Sequence, residues 1–299
     1  MKNYMGGKIA FISYEVQQKY SVEFMEDEDS LLLDFLKSKN LNIERIVWND
    51  PTVNWTEYEV AILKSPWDYH EKVSEFYNWL DKLESNHVKV LNSEKLVRWN
   101  SDKHYLKEIA DAGLNVIPTV FLEKGARPNI SDIFDELNTD KIIIKPCVSA
   151  GAKNTVIFHR SDGTLRQEAI YQSLSLDSYL AQPFFDEIYT GEWSYLFFNG
   201  SYSHSVLKVP KNGDFRVQHY LGGSIIPGEA KPEEILQAAA YIQRFASDTL
   251  YARVDGLIRN GKLYLMELEL IEPYLFLYAY PDALENYYQA LTYHLQNTE

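Results

Sequence analysis

The sequence predicts a mixed α/β (α+β) protein in which a parallel α/β layer precedes antiparallel sheets flanked by helices. Short β-branched runs alternate with helix-like segments over the first hundred residues, which favours parallel strands. Beyond about residue 115, longer strand patterns follow one another with tight turns. Asn199-Gly200 and Asn260-Gly261 are strong hairpin signals. The change of pattern predicts more than one structural unit.

The first unit is predicted from strands at residues 8–13, 45–48, 60–63 and 88–91, with helices at 30–39 and 70–84 between them. Ser101 has the residue type of a helix N-cap, and Gly113 is placed to end that helix. The segment from Trp67 to Tyr69 follows a strand, where α/β layers often bind ligands, although such rings more often pack in a core. We expect the change of unit between residues 93 and 115.

The second part of the chain has longer predicted strands, at residues 141–148, 155–160, 193–198, 203–209, 252–259 and 263–270. Amphipathic helices are predicted at 232–250 and 283–296, where they can cover one face of a sheet. Strands this closely spaced, joined by Asn-Gly turns, pair in the antiparallel sense.

Composition limits the classes of protein to consider. The 299 residues are 45% hydrophobic and 24% charged, which is typical of an ordinary globular chain. A net charge of −14 disfavours nucleic acid and anionic membranes as partners. The single cysteine, Cys147, excludes an internal disulfide, and the sequence shows neither a secretory leader nor an apolar run of spanning length. We expect a soluble, cytoplasmic protein.

Three acidic residues on two consecutive strands are the most informative pattern. Glu267 and Glu269 share one strand face, as do Arg253 and Asp255 on the partner strand. A two-residue turn at residues 260–261 would set Asp255 opposite Met266 and separate the acids, which could then be solvated. A three-residue loop would instead pair Asp255 with Glu267. Three converging carboxylates need a cation, and hard oxygen ligands select Mg²⁺ or Mn²⁺.

A lysine interrupts an apolar strand just before a loop of small residues. Lys145 follows three isoleucines, and Ser149 and Gly151 lie in the loop beyond it. A lysine at the end of a buried strand is costly unless it meets an anion, and small residues let backbone N–H groups approach a phosphate. Equally, Lys145 could snorkel to water and Gly151 could serve a turn. Cys147 has no nearby base and reads as a small buried hydrophobe.

Together these segments resemble the ATP-grasp superfamily of carboxylate-amine ligases, from about residue 101 to residue 273. In that resemblance Lys103 and Lys145 match the two lysines that hold nucleotide phosphates, and residues 149–153, including Ser149 and Gly151, are similar to the phosphate-covering loop. The remaining positions that match the family's nucleotide site are Gln182, Pro183, Phe184, Phe185, Glu187 and Glu192, of which Glu187 corresponds to the ribose-binding acid.

The resemblance continues into the catalytic segments. Residues 213–218 resemble a Gly-Asp-Phe-Arg segment of ribosomal-protein glutamate ligases and prokaryotic glutathione synthetases, which implies that Arg216 lies on the transferring phosphate with Lys208 beside it. Arg253 and Asp255 resemble an arginine and a magnesium-binding aspartate of D-alanine-D-alanine ligases. The metal ligands implied are Asp255, Glu267 and Glu269. The last departs from the family's asparagine, and residues 271–273 depart from its usual Ser/Thr-Pro-Gly.

The resemblance implies the ATP-grasp fold, with an N-terminal pre-ATP-grasp α/β domain at residues 1–100, a small ATP-binding subdomain at 101–185 and a C-terminal ATP-grasp subdomain with the metal site at 186–299. It implies an ADP-forming carbon-nitrogen ligase that uses ATP and Mg²⁺ (or Mn²⁺) to activate a small-molecule carboxylate, or a ureido oxygen, for attack by an amine. The motifs are most similar to the subgroup of cycloserine-forming ligases. A phosphotransferase and a non-catalytic nucleotide-binding protein are the alternatives, and a homodimer or higher homo-oligomer is expected.

Overall fold

The computed structural model describes residues 7–15, 27–151, 153–217 and 222–297, and it arranges them around three β-sheets. The first sheet is parallel, in the order β2-β1-β3-β4. Its strands are β1 (Lys8–Ser13), β2 (Ile43–Val47), β3 (Tyr58–Ser65) and β4 (Lys89–Leu91), and its helices are α1 (Glu28–Ser38) and α2 (Val73–Ser85). The predicted parallel α/β layer is confirmed.

Alternate residues of β1 explain how the two helices cover this sheet. Ile9 and Phe11 pack in a core with Leu32 of α1, whereas Ala10 and Ile12 pack in a second core with helix α2. Successive side chains of a strand point to opposite faces, so one buried strand can hold a helix on each face.

The middle sheet is antiparallel, in the order β5-β8-β6-β7. The elements of this region are α3 (Glu94–Asn100), α4 (Tyr105–Asp111), β5 (Val120–Leu122), α5 (Ile130–Glu136), β6 (Lys141–Pro146), β7 (Val156–His159), α6 (Gln167–Leu176) and β8 (Tyr179–Pro183). The helix expected from Ser101 begins at Tyr105, because Ser101 is the C-cap of α3. Gly113 follows α4 with φ +82°, a conformation that favours glycine.

The third sheet is also antiparallel, in the order β11-β10-β9-β12-β13. The elements are β9 (Glu192–Phe198), β10 (Ser201–Val209), β11 (Ser224–Pro227), α7 (Pro232–Phe245), β12 (Tyr251–Arg259), β13 (Lys262–Glu269) and α8 (Ala283–Gln296). Both Asn-Gly pairs form two-residue hairpin turns with positive φ at each residue. Helix α7 ends at Phe245, five residues before the predicted end.

The first and third sheets share a hydrophobic core, whereas the middle sheet has a core cluster of its own. Ile9 and Ile62 of the first sheet pack in one cluster with Phe198 and Tyr287. The side chain of Asn92 adds hydrogen bonds to the backbone of Leu250, Tyr251 and Leu270. The cluster of the middle sheet is Leu122, Ile130, Ile133, Phe134, Ile142, Ile144, Phe158, Ile170, Leu174, Tyr179 and Ala181.

Within the described ranges, no helix combines the length and the apolar character required to cross a bilayer. Two residues of the predicted motifs, Ala152 in the phosphate-covering loop and Gln218 after Arg216, lie outside the described residues. The domain limits at residues 100 and 185 stay predictions.

Candidate active site

A cleft of about 1480 Å³ lies among the three sheets. Its walls include charged side chains from the linker before α4, from β6, from β10 and from the β12–β13 hairpin. Among them are Lys103, Lys145, Lys208, Arg253, Asp255, Glu267 and Glu269. Segments distant in the sequence therefore supply cations and carboxylates to one cavity.

The β12–β13 hairpin brings Asp255 and Glu267 together, but not by the three-residue loop expected for this pairing. The turn has two residues, because Arg259 pairs with Lys262, and yet Asp255 lies opposite Glu267. The register shifts between Asp255 and Gly256, so that Met266 is an extra residue on β13. The two-residue turn was expected to separate the acids, and that expectation is wrong because a β-bulge restores their pairing.

Gly256 permits this bulge. A Cβ atom at this position would lie 2.5 Å from the carbonyl oxygen of Tyr264 and 2.8 Å from a methyl carbon of Leu263. The first contact is with backbone, which cannot turn aside as a flexible side chain can. The close approach of the two strands at the bulge therefore requires glycine.

Asp255 lies at the centre of a network of charged side chains on the third sheet. The other members are Glu192, Lys208, Arg253 and Glu269. Arg253 Nη2 donates to Asp255 Oδ2 at 2.8 Å, and Lys208 Nζ donates to the same oxygen at 3.2 Å. Lys208 also pairs with Glu192, and Arg253 with Glu269. Although burial disfavours an ionised carboxylate, Arg253 and Lys208 hold the pKa of Asp255 well below its usual range.

The two glutamates of β13 differ in their environment. Lys103 Nζ lies 2.9 Å from Glu267 Oε1, and despite burial Lys103 and Lys145 lower the pKa of Glu267. Burial raises the pKa of Glu269 to about 7, with Asp255 and Glu267 adding to the effect and Arg253 opposing it. Glu269 thus carries more uncompensated repulsion than Glu267.

Asp255, Glu267 and Glu269 have the donor chemistry for a divalent cation, but their carboxylates are not preassembled into a compact ligand cluster. In the described part of the chain only Asp102, His104 and Cys147 bring three such donor atoms within 4.8 Å of one another. Asp255, Glu267 and Glu269 are hard oxygen donors on neighbouring strands, and burial, together with the repulsion of Asp255 and Glu267, raises the pKa of Glu269 against the opposing effect of Arg253. Mg²⁺ or Mn²⁺ held by these three residues would supply positive charge to neutralise phosphate oxygens.

Lys145 occupies a different kind of environment on β6. Ile142 and Ile144 face the core of the middle sheet, whereas Ile143 and Lys145 line the cleft. Burial lowers the pKa of Lys145, and Lys103 adds to this effect while Glu267 opposes it. Among the described residues no carboxylate forms an ion pair with Lys145. The lysine therefore faces the cleft without a carboxylate partner in the described part of the chain, and its role at a phosphate stays a prediction.

The loop after β6 is joined to both neighbouring parts of the molecule. Lys103 Nζ donates to the carbonyl oxygen of Ser149 at 2.9 Å, and Gly151 has φ +62°. Lys153 Nζ lies 2.9 Å from Glu71 Oε1, which belongs to the region of the first sheet. Ser149, Gly151 and Lys153 all line the cleft, so the loop covers the side on which Lys145 lies. Cys147 is 1% exposed, and burial raises the pKa of its thiol to about 12, as expected of a small buried hydrophobe.

The segment predicted to hold adenine forms one edge of the same cleft. Gln182, Pro183, Phe184 and Phe185 line it, with the amide of Gln182 bonded to Thr119. The N–H of Phe184 donates to the carbonyl oxygen of Lys141, so that donor is already used within the protein.

Two other predicted residues differ in their placement. Glu187 is not part of the cleft lining, and its carboxylate lies 3.3 Å from Arg259 Nε, so its ribose role stays a prediction. Arg216 lines the cleft, is 40% exposed and pairs with Asp214 at 2.8 Å. The cleft thus brings together the predicted site residues other than Glu187.

The structure also adds residues that were not predicted as site residues. Trp67, Tyr69, Glu272 and Tyr274 line the cleft, and Trp67 Nε1 donates to the carbonyl oxygen of Glu272 at 3.1 Å. Two features of the sequence pointed to these residues. The aromatic segment 67–69 follows a strand, and residues 271–273 differ from the family's usual Ser/Thr-Pro-Gly. Asp68, between the two rings, is 1% exposed and bonded to Trp48, so it contributes to the core rather than to the cleft.

Comparison with known proteins agrees with this geometry. Residues 114–261 match the family model of the prokaryotic glutathione synthetase ATP-grasp domain, and residues 9–92 match the N-terminal domain of the D-cycloserine synthetase DcsG. The chain contains an ATP-grasp domain. The two matched ranges lie on either side of the linker that supplies Lys103.

Individual relatives extend the ATP-grasp likeness over almost the whole chain. The cycloserine biosynthesis protein DcsG of Streptomyces lavendulae is 27% identical over 280 residues, which are 89% of this chain and 93% of the relative. A crystal structure of D-cycloserine synthetase DcsG superposes with a TM-score of 0.83 and 25% identity, covering 97% of this chain and all of that one. D-alanine-D-alanine ligase of Bacillus anthracis, complexed with ATP, shares the fold with a TM-score of 0.72 and 16% identity, at coverages of 97% and 98%.

Proposed function

We propose that this ATP-grasp protein is an ADP-forming carbon-nitrogen ligase. A carboxylate or ureido oxygen of a small substrate takes the γ-phosphoryl group of ATP, and ADP leaves. An amine nitrogen then attacks the activated carbon, the C–N bond forms, phosphate departs and the nitrogen loses a proton. The observation that carries the proposal is the convergence of three lysines and Arg253 with three carboxylates in one cleft.

The chain's own residues act by charge and position. Lys103, Lys145 and Lys208 face the cleft, where they can hold phosphate oxygens. Arg253 is fixed by Asp255 and by the carbonyl oxygen of Tyr274, and with Arg216 it would stabilise negative charge on the activated substrate. Such reactions require little covalent participation by the protein, so placement of charge supplies most of the catalysis.

Ring closure on an internal amine is the specific reaction that the likeness to DcsG supports. The name of that relative describes cycloserine synthesis, and the likeness covers 89% of this chain. The corresponding substrate class is an O-ureido amino acid. Its carboxylate would be phosphorylated and then attacked by the nitrogen of its own N–O bond, so that the five-membered ring closes with loss of phosphate and water removes the carbamoyl group.

The test is an ADP-release assay with Mg-ATP and a panel of small carboxylates, amines and O-ureido D- and L-serine, with products identified by mass spectrometry. We expect ADP to form with a condensed or cyclised product. ADP accompanied by a stable phosphorylated product identifies a phosphotransferase instead. Nucleotide binding without turnover on any member of the panel would contradict the ligase and favour a non-catalytic nucleotide-binding protein.

A further inference from the structure

The segment 271–277, which follows β13, is held in place along most of its backbone. Tyr251 Oη donates to the carbonyl oxygen of Ile271, Trp67 Nε1 to that of Glu272, and Arg253 Nη1 to that of Tyr274. The donors come from the first sheet's region and from β12. The segment therefore has a defined position at the wall of the cleft.

A buried ion pair fixes the far end of this segment. The carboxylate of Glu28 accepts hydrogen bonds from the N–H groups of Leu275 and Leu277 at 2.8 and 2.9 Å, and Lys64 Nζ lies 2.9 Å from Glu28. Phe276, between the two amides, has φ +51°, which is unfavourable for a bulky residue unless the surroundings impose it. The Glu28 carboxylate supplies that constraint.

Glu272 is the exception within this well-bonded segment. Its side chain is half-buried and lines the cleft, but in the described part of the chain its carboxylate makes no hydrogen bond or ion pair. Asp255, Glu267 and Glu269 each pair with Lys103, Lys208 or Arg253. Burial raises the pKa of Glu272, and the neighbouring carboxylates Glu269 and Glu267 raise it further, whereas Lys103 and Arg253 only partly oppose them. A cation from a ligand would relieve this imbalance.

Aromatic rings line the same part of the cleft. Trp67 is joined to Glu272 through its indole N–H, and its ring lies 5.2 Å from that of Tyr14. Tyr69 and Tyr274 also line the cavity, and burial raises the pKa of Tyr69, with the charge of Glu272 adding to the effect. A carboxylate without a partner, in a wall that also contains aromatic rings, is a suitable environment for an organic ammonium group and an unsuitable one for another carboxylate.

We propose that Glu272 receives the ammonium group of the substrate, so that this chain selects an amino-bearing molecule and rejects one that presents only a carboxylate at this position. The inference rests on the proposed ligase function, whose site it completes. Glu272 is thereby a specificity-determining residue, separate from the three carboxylates assigned to the metal.

The experiment measures binding without turnover, by calorimetry on the full chain saturated with Mg²⁺ and a non-hydrolysable ATP analogue. The probes are D- and L-alanine and D- and L-serine, their deaminated counterparts propionate and 3-hydroxypropionate, and their decarboxylated counterparts ethylammonium and ethanolammonium. We expect the ammonium-bearing probes to bind and the carboxylate-only probes to bind at least about 10-fold more weakly.

Glu272→Gln preserves size and removes charge, and Glu233→Gln, on the exposed first turn of α7, is the matched control. We expect Glu272→Gln to weaken binding of the ammonium-bearing probes by about 10- to 100-fold while the affinity for the ATP analogue stays unchanged. Glu272→Asp should retain part of the preference for ammonium. The control should match the wild type, and melting temperatures show whether each variant is folded.

Three results would overturn the inference: tighter binding of carboxylate-only probes than of ammonium-bearing ones, unchanged probe affinity in Glu272→Gln, or a loss confined to Mg²⁺ and nucleotide affinity. The last would assign Glu272 to the metal. Because this readout requires no chemistry, Glu272-dependent binding without ADP release would leave the inference standing and reject the proposed reaction. ADP release that is the same in the wild type and in Glu272→Gln would support the proposed reaction and reject the inference about Glu272.

Discussion

The third sheet and strand β6 place charge in the cleft in opposite ways. On the third sheet, Asp255 is bonded to Arg253 and Lys208, and each of these cations has a further carboxylate partner. On β6, Lys145 faces the same cavity without an ion pair among the described residues, and Glu272 resembles it in this respect. Paired charges fix one another's positions, whereas unpaired charges indicate where a ligand must supply the counter-charge.

Asp255→Asn should have the largest effect, because Asp255 is the carboxylate that pairs with both Arg253 and Lys208. The change leaves Arg253 and Lys208 with less compensation and removes one of three proposed metal ligands. We expect activity to fall at least about 1000-fold and stability to fall by about 3 kcal/mol. ADP release and urea unfolding measure the two effects. Asp177→Asn, at an exposed position after α6, is the control. Retained activity with reduced stability would limit Asp255 to a structural role.

Lys145→Met tests the lysine of β6 that has no ion pair in the described part of the chain. The substitution should lower nucleotide affinity without lowering the stability of the ligand-free protein. We expect nucleotide affinity to fall by about 100-fold in calorimetry. We expect the ligand-free protein to gain about 1 kcal/mol at pH 7, since an unpaired cation leaves the cleft wall. Because burial lowers the pKa of Lys145 in the folded state, that gain should shrink as pH rises from this lowered pKa towards about 10.5.

Lys124→Met, at an exposed position, is the matched control for that experiment and should change neither quantity. Full retention of nucleotide affinity in Lys145→Met would count against the nucleotide site. A loss of stability would show that Lys145 has a partner within the protein, and the contrast with the third sheet would disappear.

Gly256→Ala tests the β-bulge that sets Asp255 opposite Glu267. The added methyl group meets the carbonyl oxygen of Tyr264 at 2.5 Å, so the bulge must shift. We expect a loss of about 2 kcal/mol in thermal or urea unfolding, together with a lower affinity for Mg²⁺ in the presence of nucleotide. Gly261→Ala, in the turn of the same hairpin, has φ +74° and no close neighbour. It should cost about 1 kcal/mol and leave the metal affinity unchanged. Equal effects from both variants would show that the bulge does not position the acids.

His104→Gln should give the smallest effect, because it removes a half-buried imidazole that lies beside Lys103 and pairs with Asp102 and Glu123. Burial lowers the pKa of His104, but Asp102 and Glu123 outweigh it, so the pKa lies above its ordinary value. A raised pKa means that the stabilisation is complete below about pH 6.5 and is lost as pH rises through the folded-state value. We expect a cost of about 0.5 kcal/mol at pH 5.5 and none at pH 9, measured by urea unfolding. A cost independent of pH would assign it to packing against Phe121.

The sequence predicts most of the fold because alternation and Asn-Gly turns are local signals. Strand β1 and helix α8 occupy the predicted residues, and both Asn-Gly hairpins form. Short edge strands such as β5 and β11, with three and four residues, carry too little pattern to be recognised. The helix start predicted at Ser101 was wrong. Serine occurs in turns as well as at N-caps, and here Ser101 follows the last residue of α3.

The candidate site was predictable to a different degree. Lys145 and Asp255 have chemically distinctive sequence surroundings, and the ATP-grasp resemblance grouped them. The bulge at Met266 was not predictable from turn length, because register was counted from the turn as if pairing were regular. Glu272 was visible as a departure from the family pattern, but its lack of a partner depends on contacts among segments more than 200 residues apart, such as that with Trp67.

The separate core of the middle sheet has a consequence for motion. The first and third sheets share the hydrophobic cluster that contains Ile9 and Phe198, and the side chain of Asn92 joins their backbones. The cluster around Ile142 and Phe158 involves the middle sheet alone. The middle sheet also meets the third sheet, because Leu180 of β8 packs in one cluster with Tyr195 and Leu265. A displacement of the middle sheet would therefore break the contacts of Leu180 with the third sheet while leaving the cluster around Ile142 and Phe158 intact.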